Sequence, residues 1–378
     1  MKALFLTPTS LNEYSGIDKK VLAQYEALKE NGLDIELCYI DKKENTIERK
    51  IFQKNILLKK IKFTNIGLEK IVSVLLGWNF KDVENYIFKN RIELIYIRYE
   101  FASNFGFIKF LKDLKNKNIK ILVEIPTYPY DQELLNGNFR LKLRYFIDKY
   151  YRKKLKVFVN KIVTFSEDKE IYGIPTINIS NGIDINKISL IKKRENEKIR
   201  FIGVAGLAFW HGFDRFILAI KEYYKNNPKQ KIIFNIVGDG NKNYMETLKN
   251  MVKENKLEKY VIFHGRKCGK ELDEIYDSSD IAVGSLGRFR SGLYVMKPLK
   301  NREYCAKGLP MIYSETDLDF EGQDFVYKVS HDESLINIGE IIEWYKNLKM
   351  SSNEIREYSK LFSWSIQMKK VLDGIKES

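Results

Sequence analysis

The chain has 378 residues, 44% hydrophobic and 30% charged, and its 65 Lys and Arg against 50 Asp and Glu give a formal net charge of +15. This length suits two domains, and the apolar fraction excludes a disordered chain. Three scattered cysteines (Cys38, Cys268, Cys305) exclude a disulfide framework or zinc site, and no apolar run reaches the roughly 18 residues of a membrane-spanning helix.

The opening run Met1–Leu6 is too short for a signal peptide and reads as a first strand. Further strands are predicted at Ile35–Tyr39, Leu94–Ile97, Ile121–Glu124 and Lys161–Thr164, with a helix over Lys19–Asn31 that places Val21, Leu22, Tyr25 and Leu28 on one face. Residues 41–62, rich in Lys, Ile and Asn, are expected to form a mobile or helical insertion. Residues 139–156 read as a basic amphipathic helix able to rest on an anionic leaflet.

A second series begins near Arg200. Its strands are Arg200–Gly203, Lys231–Val237, Val261–His264, Ile281–Gly284 and Met311–Tyr313. Its helices are Asp214–Asn226, Asn243–Asn255, Lys270–Ser278 and Lys300–Ala306. Strands alternating with helices predict α/β architecture, with parallel sheets covered on both faces. Residues 1–180 form one Rossmann-like domain, residues 181–360 the other, and residues 361–378 run back onto the first. The charged stretch Lys192–Lys198 reads as a solvated linker.

Chemistry concentrates in the loops that follow strands, where open parallel sheets bind ligands. Gly16 precedes a helix N-terminus suited to a phosphate. This is not the G-x-G-x-x-G fingerprint, so no nicotinamide cofactor is expected. In the second half Gly206 and Gly212 bracket a loop that carries His211 and leads to Arg215, and Gly238 ends another strand. Lys297, Lys300 and Glu303 cluster at the start of a helix closed by Gly308-Leu-Pro310, where free N–H groups and cations suit a diphosphate. In the first half Glu124-Ile-Pro-Thr-Tyr-Pro-Tyr-Asp131 is a proline-stiffened loop that would turn Glu124, Thr127, Tyr128, Tyr130 and Asp131 toward a crevice. Neither a D-x-D pair nor a His/Cys cluster is present, so no metal is implied.

Asn181-Gly-Ile-Asp184, Trp210-His-Gly-Phe-Asp-Arg215, Ile236-Val-Gly-Asp-Gly240, Phe263-His-Gly-Arg266 and Arg302-Glu-Tyr-Cys-Ala-Lys-Gly-Leu-Pro310 follow one another in that order. Their order and spacing resemble the retaining GT-B glycosyltransferases of family 4, or group 1, and Phe362-Ser-Trp364 is similar to that family's closing helix. The resemblance implies two Rossmann-like domains facing across a cleft, the first binding the acceptor and the second a nucleotide-sugar. It implies that Glu303 binds the ribose hydroxyls, that Arg266 lies near the nucleotide, that His211 stands where the family has a diphosphate-binding lysine, and that Gly16 closes over the phosphates. The family's first motif glutamate falls on Val295, leaving backbone groups of Ser291, Gly292 and Leu293 to serve the donor together with Lys297 and Lys300.

The expected catalytic residues are then Glu124, Thr127, Lys300 and Arg266. The donor site adds Gly206, Gly212, Arg215 and Gly238, and Tyr128, Tyr130 and Asp131 meet the acceptor. The implied reaction is metal-independent hexosyl transfer, with retention and without a cofactor, from a nucleoside diphosphate sugar to a saccharide or lipid-linked hydroxyl. It would serve cell-surface polysaccharide or glycoconjugate synthesis, in the cytoplasm or at the inner face of the membrane. A non-catalytic GT-B subunit and a sugar-nucleotide epimerase are the alternatives. The positive charge matches phosphorylated ligands or an anionic membrane rather than nucleic acid, for which no recognition motif is present.

Overall fold

The computed structural model describes residues 1–11, 15–43, 46–54, 56–62, 80–100, 103–135, 138–192 and 197–376. Residues 12–14 of the first glycine loop and 193–196 of the expected linker lie outside that description. The chain divides into two compact units, Met1–Ser180 with Trp364–Ser378, and Asn181–Ser363.

The first unit runs β1 (Lys2–Leu6), α1 (Gly16–Glu30), β2 (Asp34–Lys43), β3 (Thr46–Ile51), β4 (Ile56–Lys62), α2 (Lys81–Lys89), β5 (Leu94–Arg98), α3 (Phe105–Lys115), β6 (Lys120–Ile125), α4 (Asp131–Leu135), α5 (Phe139–Tyr151), β7 (Lys161–Thr164), β8 (Glu170–Ile171) and β9 (Ile174–Asn178). Among its described residues nine strands lie in the order β4-β3-β2-β1-β5-β6-β7-β9-β8. The central strands pair in parallel and read as continuous apolar runs because both faces are covered: every residue of Leu94–Arg98 is buried. Helix starts follow local chemistry. Ser15 accepts the Asp18 N–H at 3.3 Å, so α1 begins at Gly16, three residues before the expected start at Lys19.

Residues 41–62 form strands rather than a helix where described; β2 continues through Lys43 and pairs antiparallel with β3, which pairs with β4. Lysines that suggested a mobile or helical insertion take part in ion pairs on these strands. Glu48 lies opposite Lys60, with a 2.8 Å ion pair, and Lys50 reaches Asp41 at 2.7 Å and Glu48 at 2.8 Å. Arg49, 4% exposed, grips both oxygens of Asp82 at 2.6 Å.

The second unit runs β10 (Ile199–Val204), α6 (Phe213–Lys225), β11 (Ile232–Val237), α7 (Lys242–Glu254), β12 (Val261–Gly265), α8 (Gly269–Asp277), β13 (Ile281–Val283), α9 (Leu299–Lys307), β14 (Met311–Tyr313), β15 (Val326–Lys328), α10 (Ile338–Asn347) and α11 (Ser352–Ser359). Its six strands are all parallel, in the order β12-β11-β10-β13-β14-β15. The strand order reverses between β10 and β13, and the carboxyl ends of those strands form the crevice where such sheets bind ligands.

The final helix, α12 (Trp364–Lys376), belongs to the first unit. Trp364, Met368, Val371 and Ile375 share a core with Val21, Tyr25 and Leu28 of α1. Burial of each such side chain stabilises by about 1.5–3 kcal/mol. Two polar contacts fix its register: Asn31 donates to the Ser365 carbonyl at 2.9 Å, and Gln367 accepts the Ser180 N–H at 2.8 Å.

Candidate functional site

In the second unit the loops after β10 and β13 meet where the strand order reverses. The Leu286 N–H donates to the His211 carbonyl at 2.8 Å. Gly212, at φ 65°, backs onto this contact; a Cβ there would stand 2.6 Å from the Gly287 nitrogen and the Leu286 carbonyl carbon. Only glycine satisfies both the left-handed backbone and the close approach. Gly238, at φ 129°, is equally constrained by the Ala205 carbonyl oxygen, 1.9 Å from a hypothetical Cβ. Both glycines therefore shape the strand-end loops, whereas Gly206, which precedes both in the chain, is exposed and uncrowded.

A polar cluster sits at this junction. Lys300, in the first turn of α9, is half-buried as a residue, but its ammonium is shielded from solvent, accepted by no hydrogen-bond partner, and stands 5.8 Å from the centre of the Phe213 ring. Burial pushes its pKa from 10.5 down to about 7, with Glu315 pulling it up and Arg288 down. Glu315, just past β14, is 1% exposed, and both its carboxylate oxygens are shielded and receive no hydrogen bond. Burial pushes its pKa up, and Lys300 is the strongest force holding it down. His211 is 7% exposed; its Nδ1 accepts the Ala208 N–H at 3.2 Å, which leaves the proton on Nε2. Burial, then Lys300 and Arg288, drives its pKa to about 2. Arg288 also lies 5.7 Å from the centre of the Trp210 ring.

The cluster thus brings a desolvated ammonium, a guanidinium, a neutral imidazole and a buried carboxylate to one strand-end junction. An anionic ligand entering here would restore the ammonium's lost solvation and meet the N-terminus of α9, whose N-cap Pro298 offers no side-chain cap. The helix itself is anchored from beneath. Arg302, 0% exposed, donates to both oxygens of Asp317 and to Asp319, while Asn301 donates to Asp317 at 3.1 Å.

Several expected site residues are committed elsewhere. Arg215 is 3% exposed and donates to the carbonyls of Leu286, Ser330 and Ser334, so it staples loops instead of facing a ligand. Next to it, Asp214 receives Arg290 at 2.9 and 2.7 Å and Tyr244 at 2.7 Å. Lys297 turns its ammonium toward Asp319 at 3.3 Å. The N–H groups of Gly292 and Leu293 donate to the carbonyls of Phe289 and Arg288, and the Ser291 hydroxyl also donates to Arg288, so this turn closes on itself. His211, expected to stand in for a diphosphate-binding lysine, is held neutral by burial. Glu303 is half-buried one turn into α9, and Arg266 is exposed just beyond β12.

The first unit shows a similar division. Gly16 is exposed at the start of α1. Glu124 is wholly buried and accepts from Gln24 at 2.7 Å, Tyr96 at 2.6 Å and Arg98; its role is to join β5, β6 and α1. Tyr130 is likewise wholly buried and donates to Asp148 at 2.7 Å. Asp131 is paired with Arg152 at 2.6 and 3.0 Å. All three were expected to face a crevice; Glu124 and Tyr130 are instead enclosed, and Asp131 is engaged by Arg152. Thr127 and Tyr128 remain half-buried, the latter packed edge-on against Tyr172.

Sequence reading passed over Arg288 and Glu315 because neither falls on a quoted motif; their position just past strand ends was the available signal. It also missed a 120 Å³ cavity at the carboxyl ends of β1 and β5, the first sheet's own reversal point, with Thr7, Arg49, Phe80, Arg98, Tyr99 and Phe107 in its wall. A larger 540 Å³ cavity around Asp280, Pro310 and Tyr345 lies at the amino ends of β13 and β14, the wrong end of the sheet for this chemistry.

Residues 184–317 match the family model described as glycosyl transferases group 1. No curated protein matches the chain. Among solved structures, sucrose-phosphate synthase from Thermosynechococcus elongatus is 15% identical with a TM-score of 0.67, each chain covered in full. HepE of Anabaena in complex with UDP is 12% identical, TM-score 0.62, also covered in full on both sides. A glycosyltransferase from Rickettsia africae is 13% identical, TM-score 0.61, covering 100% of this chain and 98% of that one. The chain therefore has the GT-B fold of two Rossmann-like units and carries, over residues 184–317, the group 1 glycosyl transferase pattern.

Proposed function

We propose that the protein is a retaining glycosyltransferase that moves a hexosyl group from a nucleoside diphosphate sugar to a hydroxyl of a saccharide or lipid-linked acceptor. The observation that carries this reading is the Lys300–Glu315–Arg288–His211 cluster at the reversal point of the second sheet, within the segment that matches the group 1 model. The solved HepE structures hold UDP, and in one case UDP and glucose, which favours a nucleotide-sugar as the ligand class.

In this reading Lys300 and Arg288 take the charge that develops on the leaving diphosphate, and the His211 Nε2–H adds a neutral donor. Each preorganised contact of this kind supplies about 2–4 kcal/mol. Glu303 binds the ribose hydroxyls, and Arg266 lies beside the nucleotide. No side chain is assigned as a covalent nucleophile, so front-face displacement with retention is the proposed course. The acceptor is assigned to the Thr7–Arg98–Tyr99 cavity of the first unit, with Thr127 and Tyr128 as further contacts.

The test is a thermal-shift screen of uridine, guanosine and adenosine diphosphate sugars, followed by transfer assays and NMR of the product anomer. A donor at 100 times its Kd adds about 2.7 kcal/mol. Glu303→Ala should weaken donor binding at least tenfold. Failure of every donor to stabilise the protein refutes the reading. Val295, exposed where the group 1 pattern has a glutamate, favours a second reading as a binding subunit; donor binding without turnover would establish it.

A further inference from the structure

The donor reading leaves Glu315 without a task, although its setting is costly. The residue lies two positions past β14, is 1% exposed, and neither carboxylate oxygen has a hydrogen-bond partner. Burying a charged carboxylate without partners is unfavourable, so such a group points to a ligand that completes it. A second group in the same state stands on the adjoining strand end. Ser285, two positions past β13, is wholly buried, and its hydroxyl has no partner. Backbone bonds lace this junction together. The Ser314 N–H donates to the Ser285 carbonyl at 2.9 Å, and the Thr316 N–H donates to the Tyr294 carbonyl at 2.7 Å. A carboxylate and a hydroxyl, both buried and both without partners, are thus fixed at one place in the fold.

Charge links Glu315 to the diphosphate position. Burial favours the neutral form of both Glu315 and Lys300; against it, each is the strongest force keeping the other ionised. A diphosphate that engages Lys300 competes for that ammonium and leaves the carboxylate short of its counter-charge. A hydroxyl donated by the same ligand would supply the missing partner, since an ionised carboxylate only accepts. In a nucleoside diphosphate sugar the sugar is bonded directly to the outer phosphate, so groups beside the diphosphate's cation meet the sugar's own hydroxyls. We infer that Glu315, with Ser285 beside it, reads a hydroxyl of the transferred sugar and thereby selects the donor. This rests on the donor reading above and adds to it the residue that tells one sugar from another. A site built to bind a hydroxyl discriminates strongly against an analogue that lacks it.

The test is calorimetric titration of the full chain with UDP, ADP and GDP, with their glucose, galactose and mannose esters, and with the monodeoxy forms of the ester that binds tightest. In the parent protein, loss of one particular hydroxyl should raise Kd at least about tenfold. In Glu315→Leu the same loss should change Kd less than about twofold. Both comparisons are made between ligands with the same diphosphate, so any influence of Glu315 on Lys300 cancels. Glu315 makes no hydrogen bond, so the leucine variant should melt no lower than the parent. If it does not fold, Glu315→Gln keeps the shape and should show the same preference reduced, and Ser285→Ala should reduce it independently. A parent indifferent to every hydroxyl, or variants in which each deoxygenation costs what it costs the parent, overturns the inference and leaves the donor reading standing. So does a Glu315→Leu protein that loses affinity for the bare nucleoside diphosphate as much as for its ester, because the carboxylate then acts only through Lys300. If no nucleoside diphosphate or ester binds, the donor reading itself falls and this inference with it.

Discussion

Lys300→Arg provides the sharpest test of the donor-site chemistry. Burial holds the Lys300 ammonium at a pKa of about 7. If that charge must meet the diphosphate, only the protonated fraction of free enzyme is competent. At about one pH unit above the pKa roughly a tenth of molecules retain the proton, so kcat/KM should fall about tenfold per unit on the alkaline side. Bound diphosphate raises the ammonium's pKa, so the corresponding limb of kcat should lie at higher pH. A guanidinium does not titrate in this range, so in Lys300→Arg the limb near pH 7 should vanish even if the maximal rate is lower. Glu315→Gln removes the largest influence raising the Lys300 pKa and should move the limb to lower pH; each unit moved corresponds to about 1.36 kcal/mol. The assay is kcat/KM across pH with a saturating acceptor. Lys20 in the first unit is also pushed to about 7 by burial, so persistence of the limb in Lys300→Arg would refute the assignment and transfer suspicion to Lys20.

Other outcomes follow from the same geometry. His211 has a folded pKa of about 2 against an ordinary 6.5, so the unfolded chain binds the extra proton between those values and stability falls as pH drops through that window. His211→Gln should flatten the acid slope of the denaturation midpoint by up to one proton, about 1.4 kcal/mol per pH unit. Asp317→Ala leaves the buried Arg302 guanidinium with Asp319 as its remaining carboxylate and should cost up to about 3–5 kcal/mol in chemical denaturation of the second unit. Gly212→Ala forces a left-handed residue against Gly287 and Leu286; about 1–3 kcal/mol of strain should appear together with weakened donor binding.

Much of the architecture is legible in the sequence because parallel strands buried on both faces leave apolar runs, as at Leu94–Ile97 and Ile121–Val123. The hairpin at 41–62 is not, because its stability comes from charge pairs between residues that are neighbours only across strands, such as Glu48 and Lys60. The same reason governs the site. Glycine positions and the start of α9 are local signals and were readable. Whether a polar side chain faces a ligand or a partner depends on long-range contacts: Arg215 reaches Ser330 and Ser334, Asp131 meets Arg152, and Glu124 takes a bond from Gln24 a hundred residues away. Arg288 and Glu315, by contrast, gain interest only when their strands lie side by side.

The placement of α12 in the first unit has a consequence for biogenesis. Ribosomes release a chain from its amino end, so all of Asn181–Ser363 emerges before the helix that covers Val21, Tyr25 and Leu28. The second unit has all its own residues available to fold first. The first must wait with that apolar groove uncovered, a stretch during which chaperone capture or misassociation would be concentrated on one face of α1.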